Sequence, residues 1–260
     1  MNIKPFSNYT EGEEKSVGVK KVALIVEPGI NTHFEYAVRN VMYYLGPDWS
    51  CQVQYSKDSK EFVKAALKDI KNVDYMHLNV DIRSVHDFNR LMKEALFWEP
   101  FRNHKVLIFQ SDSFMLRPGM NSFLNFDYIG APWHLIHNER VAKYVEKGYL
   151  KNGVGNGGFS LRTGAVMHSV AKSLGGKKSP NSEQEDMFFA HHLERLGYAV
   201  GDRKSAYLFA WEVYIDDLNK AISNKSPVAF HAAWYYFNPT KINPYLESGL
   251  LPKLNVSMGR

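Results

Sequence analysis

The sequence is poor in cysteine, in clustered positive charge and in long apolar runs, and each shortage removes a class of protein. Cys51 is the single cysteine among 260 residues, so neither an intrachain disulfide nor a multi-cysteine metal site can form. Lysine and arginine outnumber aspartate and glutamate by 32 to 27, a formal charge of +5. That excess is scattered, with Lys20-Lys21 and Lys177-Lys178 its densest pairs. There is no run of about five or six basic residues and no nucleic-acid module, so no nucleic-acid partner is expected. A mild basic excess does suit a protein that binds a diphosphate. No apolar stretch approaches the ~20 residues that cross a bilayer, and Met1 to Lys20 lacks the apolar centre of a secretory signal. The expectation is a reducing, cytoplasmic location without a membrane span. The sequons at Asn8, Asn224 and Asn255 then read as chance matches.

What is present is core material. Hydrophobic residues make up 45% and aromatics 14%, while charged residues stay at 23%, the balance of a folded globular chain. This length lies within the reach of one α/β domain. Residues 1–18, rich in Glu, Ser, Gly and Asn, read as a flexible leader. Residues 19–260 show no repeat or linker and read as one domain.

Val22 to Val26 is a continuous apolar run with the look of a fully buried strand. Thr32 and Glu35 form a capping-box pattern, and Phe34, Val38, Val41, Met42 and Leu45 follow at helical spacing before Gly46-Pro47 ends the helix. The unit recurs. Cys51–Tyr55 predicts a strand, and Asp58 with Glu61 a helix through Leu67. Tyr75–Leu78 predicts the next strand, Ser84 with Asp87 a helix carrying Phe88, Leu91, Met92, Ala95 and Leu96, and Lys105–Phe109 a fourth strand. Four strand–helix alternations predict a mostly parallel sheet with helices on both faces. Beyond residue 110 the pieces are shorter: strands at Phe126–Gly130, Gly157–Arg162 and Val228–His231, and helices at Ala165–Leu174 and about Glu183–Leu196.

The chemistry concentrates where the fourth strand ends. Leu107-Ile108-Phe109 runs into Gln110-Ser111-Asp112-Ser113, and ligands of parallel α/β sheets bind beyond the carboxyl ends of strands. Asp112 therefore stands either where a metal–diphosphate complex would be held or as a cap of the turn before Arg117-Pro118. Further on, glycines flank Asn156 in Val154-Gly155-Asn156-Gly157-Gly158-Phe159-Ser160-Leu161-Arg162, which lets backbone approach a ligand closely. Asp186 follows a second capping pattern, Ser182 with Glu185, and shares a helical face with Phe189, Ala190 and Leu193. A carboxylate there is either a general base or a partner of the helix dipole.

Taken in order, FQSDS (109–113), DYIGAPW (127–133), VGNGGFSLR (154–162), EDMFF (185–189) and AFHAAW (229–234) resemble a glycosyltransferase-type family of GT-A fold, long catalogued as a domain of unknown function. The likeness spans Val22 to Trp234. It implies a Rossmann-related nucleotide-diphospho-sugar transferase fold: a central, mixed, mostly parallel sheet flanked by helices. It also implies a metal-dependent transferase that moves a sugar from a nucleotide-diphosphate donor to a glycan or other hydroxyl acceptor. Gln110 departs from the usual DxD pattern, since an amide can bond a ribose hydroxyl but adds no negative charge. The resemblance makes Asp112 and His231 the metal ligands, completed by diphosphate oxygens and water around Mn²⁺ or Mg²⁺. The donor group comprises Glu27, Asn89, Gln110, Ser111, Asp112, Gly157 and Gly158, with Asp186 as the base of an inverting transfer. Arg162 and Glu212 read equally as a structural ion pair or as substrate contacts, and Trp133 and Trp234 as sugar-stacking or core residues. Two other readings stay open. A nucleotidyltransferase would normally carry a basic loop after the first strand, which Glu27-Pro28-Gly29-Ile30 is not. A catalytically inactive carbohydrate- or nucleotide-binding protein would account for Gln110.

Overall fold

A computed structural model of the chain describes residues 20–133, 139–151, 153–180, 183–212 and 227–232, with the side chain of Arg140 excepted. The leader, Ser182, Trp234 and the three sequon asparagines lie outside these described residues. The first half alternates as the sequence predicts: β1 (Lys20–Glu27), α1 (Phe34–Leu45), β2 (Ser50–Tyr55), α2 (Lys60–Ala66), β3 (Val73–His77), α3 (Val85–Met92), α4 (Ala95–Trp98) and β4 (His104–Phe109). There follow β5 (Phe114–Met115), β6 (Tyr128–Pro132), α5 (Glu139–Glu146), β7 (Val154–Thr163), α6 (Gly164–Leu174), α7 (Glu185–Leu196), α8 (Arg203–Phe209), β8 (Ala210–Glu212) and β9 (Ala229–His231).

Six strands form one sheet in the order β3-β2-β1-β4-β7-β6. β1 to β4 run parallel, and β7 is antiparallel to both of its neighbours. Because β2 and β4 lie on opposite sides of β1, the chain reverses its direction of travel across the sheet there. Ligands of such sheets bind at the switch point, beyond the carboxyl ends of the strands, and Glu27 and Asp112 stand at the ends of β1 and β4 there. Adjacent strand residues point to opposite faces, and both faces are apolar here. Ala23, Ile25, Leu107 and Phe109 pack with α1 and α2. Val22, Leu24, Val106 and Ile108 pack with α4, α6 and α7. This double coverage explains why these strands read as unbroken apolar runs. No helix of the described residues is long and apolar enough to cross a membrane.

Several local expectations are corrected. The Thr32–Glu35 box does not form: α1 starts from His33 without a side-chain cap. Asp58 is replaced by Ser59 at the start of α2, and the Ser59 hydroxyl donates to the Glu27 carbonyl at 2.7 Å instead of capping. Ser84 does cap α3, accepting the Asp87 N–H, while the Asp87 carboxylate accepts the Arg83 N–H at 3.1 Å. The single helix expected through Leu96 breaks after Met92. There the Trp98 indole N–H takes the Met92 carbonyl at 2.7 Å, and Lys93 turns inward to donate to the Pro180 and Glu183 carbonyls at 2.9 and 2.7 Å. α7 starts at Glu185 from Gln184, which makes no side-chain cap bond.

β5, β9 and β8 form a small second sheet in that order. Its outer strand is tied to α1 by Asn40, which is fully buried. The Asn40 side chain donates to the Met115 carbonyl at 3.0 Å and accepts the Met115 N–H at 2.6 Å, standing in for a neighbouring strand. Asn40→Ala would strand both backbone groups in the core and is expected to cost roughly 2–4 kcal/mol in urea unfolding. A loss below about 1 kcal/mol would show that the pair is dispensable.

Candidate functional site

The register between β6 and β7 breaks where the glycines fall. Gly130 pairs with Ser160, but the next residue, Ala131, pairs with Asn156, so one step on β6 matches four on β7. Gly157 to Phe159 therefore have no partner on β6, where β7 passes the end of β4. Bulges of this kind re-aim side chains next to sites. Two of the bulged residues need to be glycine. The space a Gly157 side chain would fill holds the Glu185 carboxylate, Asp186 and Arg162, and that of Gly158 holds the His231 ring. Both glycines thereby admit neighbouring side chains to the backbone.

One group of polar residues gathers at the switch point. The Ser111 hydroxyl donates to the Glu27 carboxylate. Burial pushes the Glu27 carboxyl upward in pKa, the Ser111 and Gly29 bonds oppose this, and the charge of Asp112 adds to it. His33, at the start of α1, also feels the Asp112 charge. From the second sheet, His231 brings Nε2 to 3.1 Å from Gln110 Oε1 and 3.6 Å from Asp112 Oδ1. Asp112 Oδ1 and His231 Nδ1 are both buried without a hydrogen-bond partner, an arrangement that normally costs free energy unless something else engages them. A buried carboxylate oxygen facing an imidazole fits a divalent cation. Among the described residues no three His, Cys, Asp or Glu side chains converge on one point, so a cation here would need ligand oxygens and water to complete its shell.

The second group lies across the bulge. Arg162 is fully buried in β7 and forms a bidentate pair with Glu185 at 2.6 and 2.9 Å. Its guanidinium sits 5.0 Å from the Tyr128 ring centre and 5.6 Å from that of Phe189. Burial works against the cation, and Glu185 more than offsets it. Removing one member of such a pair costs about 3–5 kcal/mol, since the other is left buried and unpaired. Arg162 and Glu212 are therefore not paired with each other: Glu212 instead accepts from Asn156 at 2.8 Å. Asn89 is buried and accepts the Glu185 N–H at 3.1 Å, which places it against the start of α7 rather than beside Asp112. Trp133 is a core residue.

Asp186 is the second residue of α7. Its Oδ2 accepts the Gly157 N–H at 3.2 Å and its Oδ1 the Met187 N–H at 2.7 Å. The side chain reaches the surface in part, but protein packs densely around the carboxyl. That burial, helped by the Glu185 charge, raises its pKa to about 7. The structure thus joins Glu27, Gln110, Ser111, Asp112 and His231 in one group and sets Asp186 and Asn89 in the other. Gly157 and Gly158 lie between them. Sequence reasoning missed Glu185 as the partner of Arg162 and Asn156 as the holder of Glu212. An arginine inside an otherwise apolar strand was itself the signal that a buried carboxylate had to exist.

Four parallel strands switching at β1, an antiparallel β7 and helices on both faces make up the mixed, mostly parallel sheet of the glycosyltransferase A fold. The chain belongs to the family described as a protein of unknown function, DUF5672, which it matches over residues 71–231. Solved structures share the fold. Mouse xyloside xylosyltransferase 1, in apo form, aligns with a TM-score of 0.51 at 9% identity, over 84% of this chain and all of that one. The galactosyltransferase LgtC, solved with donor and acceptor sugar analogues, aligns at 0.53 and 15% identity, over 91% and 97%. The bifunctional glycosyltransferase WbbM aligns at 0.52 and 12%, over 87% of this chain and 48% of its own. At these identities the likeness is one of fold. No curated protein matches the sequence.

The raised pKa of Asp186 has a definite consequence for stability. Between pH about 4 and 7 the folded state holds a proton that the unfolded chain releases, so stability falls as pH rises through this window and levels off above it. Asp186→Asn removes that slope. Urea unfolding at pH 5 and pH 8 should show the variant gaining on the parent protein at the higher pH; identical pH dependence would refute the shift.

Proposed function

We propose that this protein is a metal-dependent glycosyltransferase that takes a sugar from a nucleotide-diphosphate donor and delivers it to a glycan or other acceptor hydroxyl. The observation that carries the reading is the buried, unpartnered Oδ1 of Asp112, 3.6 Å from His231 Nε2, at the switch point of a glycosyltransferase A fold. Asp112 and His231 would hold Mn²⁺ or Mg²⁺, whose charge offsets that of the departing nucleoside diphosphate. Gln110 offers its amide to a ribose hydroxyl, and Glu27, fixed by Ser111, stands at the same switch point. Asp186 takes the proton of the acceptor hydroxyl as that oxygen attacks the sugar, and a single displacement inverts the anomeric carbon. A base with a pKa of about 7 is half ionised near neutral pH, which matches that task. The main rival is an inactive binding protein, favoured by Gln110 in place of an acid.

Calorimetry with UDP, GDP and dTDP should show binding that depends on Mn²⁺ or Mg²⁺ and is lost in Asp112→Ala. His231→Ala should weaken metal-linked binding with little change in melting temperature. Equal nucleotide binding in excess chelator would remove the metal from the reading.

Asp186→Asn should keep donor binding while turnover drops by ~10²–10⁴-fold, the usual contribution of a general base. In the parent enzyme, turnover should rise with pH through about 7 as the carboxylate forms. NMR of the product anomer checks the stereochemistry. Retention, or near-normal turnover in the variant, would overturn the assignment of Asp186.

A further inference from the structure

His231 is flanked on both edges by carboxylates, and they are not equivalent. Its Nε2 edge faces Asp112 Oδ1 at 3.6 Å and Gln110 Oε1 at 3.1 Å. Its Nδ1 edge faces Glu212 Oε1 at 4.0 Å, and Nδ1 itself is buried with no hydrogen-bond partner. One ion cannot meet Asp112 and Glu212 through the same ring, because the two carboxylates address opposite nitrogens.

The backbone builds this arrangement directly. β8 and β9 pair in parallel with Glu212 opposite His231. The far oxygen of Glu212 accepts the Asn156 amide at 2.8 Å, and Asn156 in turn accepts the Gly158 N–H at 3.1 Å. Gly158 is the residue whose missing side chain makes room for the His231 ring. The residue after His231, Ala232, sits at φ 56°, a left-handed conformation that costs a non-glycine residue free energy and persists only where its surroundings enforce it. Strand pairing, the glycine bulge and the turn at Ala232 thus converge on the orientation of one imidazole.

We infer that Glu212, held by Asn156, is a positioning residue whose carboxylate, 4.0 Å from His231 Nδ1, favours the proton on that nitrogen and so leaves Nε2 to a cation shared with Asp112. This inference rests on the reading of His231 as a metal ligand. The physical reason is general: a ring nitrogen binds a metal only when it carries no proton, and an acceptor at the other nitrogen fixes that tautomer and raises ligand basicity.

The test is Mn²⁺ affinity, read from the free-ion EPR signal, beside the melting temperature measured without metal. Glu212→Ala should weaken Mn²⁺ binding about 10–100-fold, the usual effect of losing such a partner, while the metal-free melting temperature stays close to the parent value. Glu212→Gln keeps an acceptor at the same place and should recover part of the loss. Asn156→Ala, which frees Glu212, should lose affinity in the same direction. Parent-like affinity in Glu212→Ala would overturn this inference alone. So would equal losses in Ala and Gln variants accompanied by a lowered metal-free melting temperature. A parent protein that binds no Mn²⁺ at all would overturn the metal reading and this inference together.

Discussion

The buried pair between Arg162 and Glu185 is the interaction on which the rest of the site depends. A guanidinium in the middle of a sheet strand is tolerated only because a carboxylate meets both arms of its fork and aromatic faces surround it. That carboxylate can reach it only if α7 begins where it does. Asn89 and Lys93 hold the approach to α7, the first through the Glu185 N–H and the second through the Pro180 and Glu183 carbonyls. With α7 fixed, Asp186 is carried to the Gly157 N–H, and the bulge in β7 cannot slide without breaking these contacts.

The opposite side of the bulge answers to a different constraint. β9 supplies His231 from a short sheet with little pairing of its own, so its position comes from outside: from the Asn40 bonds to Met115 on β5 and from Gly158 beneath the imidazole. Consecutive glycines therefore serve two unrelated neighbours. Gly157 makes way for the ion pair and Asp186, and Gly158 makes way for His231. A single methyl group on either would have to displace a charged or buried side chain.

The sequence carried the doubly covered sheet well, because buried parallel strands leave unbroken apolar runs such as Val22–Val26 and Lys105–Phe109. It carried helix starts poorly. Of the capping patterns at Thr32, Asp58 and Ser84, only Ser84 forms a cap. At the α2 start a long-range bond intervenes: Ser59 gives its hydroxyl to the Glu27 carbonyl at the end of β1. The break after Met92 was invisible for a similar reason. Nothing in the local pattern announces that Trp98 will claim the Met92 carbonyl, or that a lysine will point into the protein.

What the sequence determined by itself is the layering of the fold and the arrival of Glu27 and Asp112 at strand ends, since both follow from hydrophobic periodicity and chain direction. It also marked the Gly-rich segment and the acidic start of α7 as unusual. Only the tertiary structure decided the partners: Arg162 with Glu185 rather than Glu212, Asn89 with a helix start rather than the switch point, and Glu212 beside His231. Those pairings join residues 23 to 96 positions apart or lie side by side on paired strands. Local propensity carries no information about such separations. They are set by the packing of the two sheets and by the requirement that every buried charge find its counterpart.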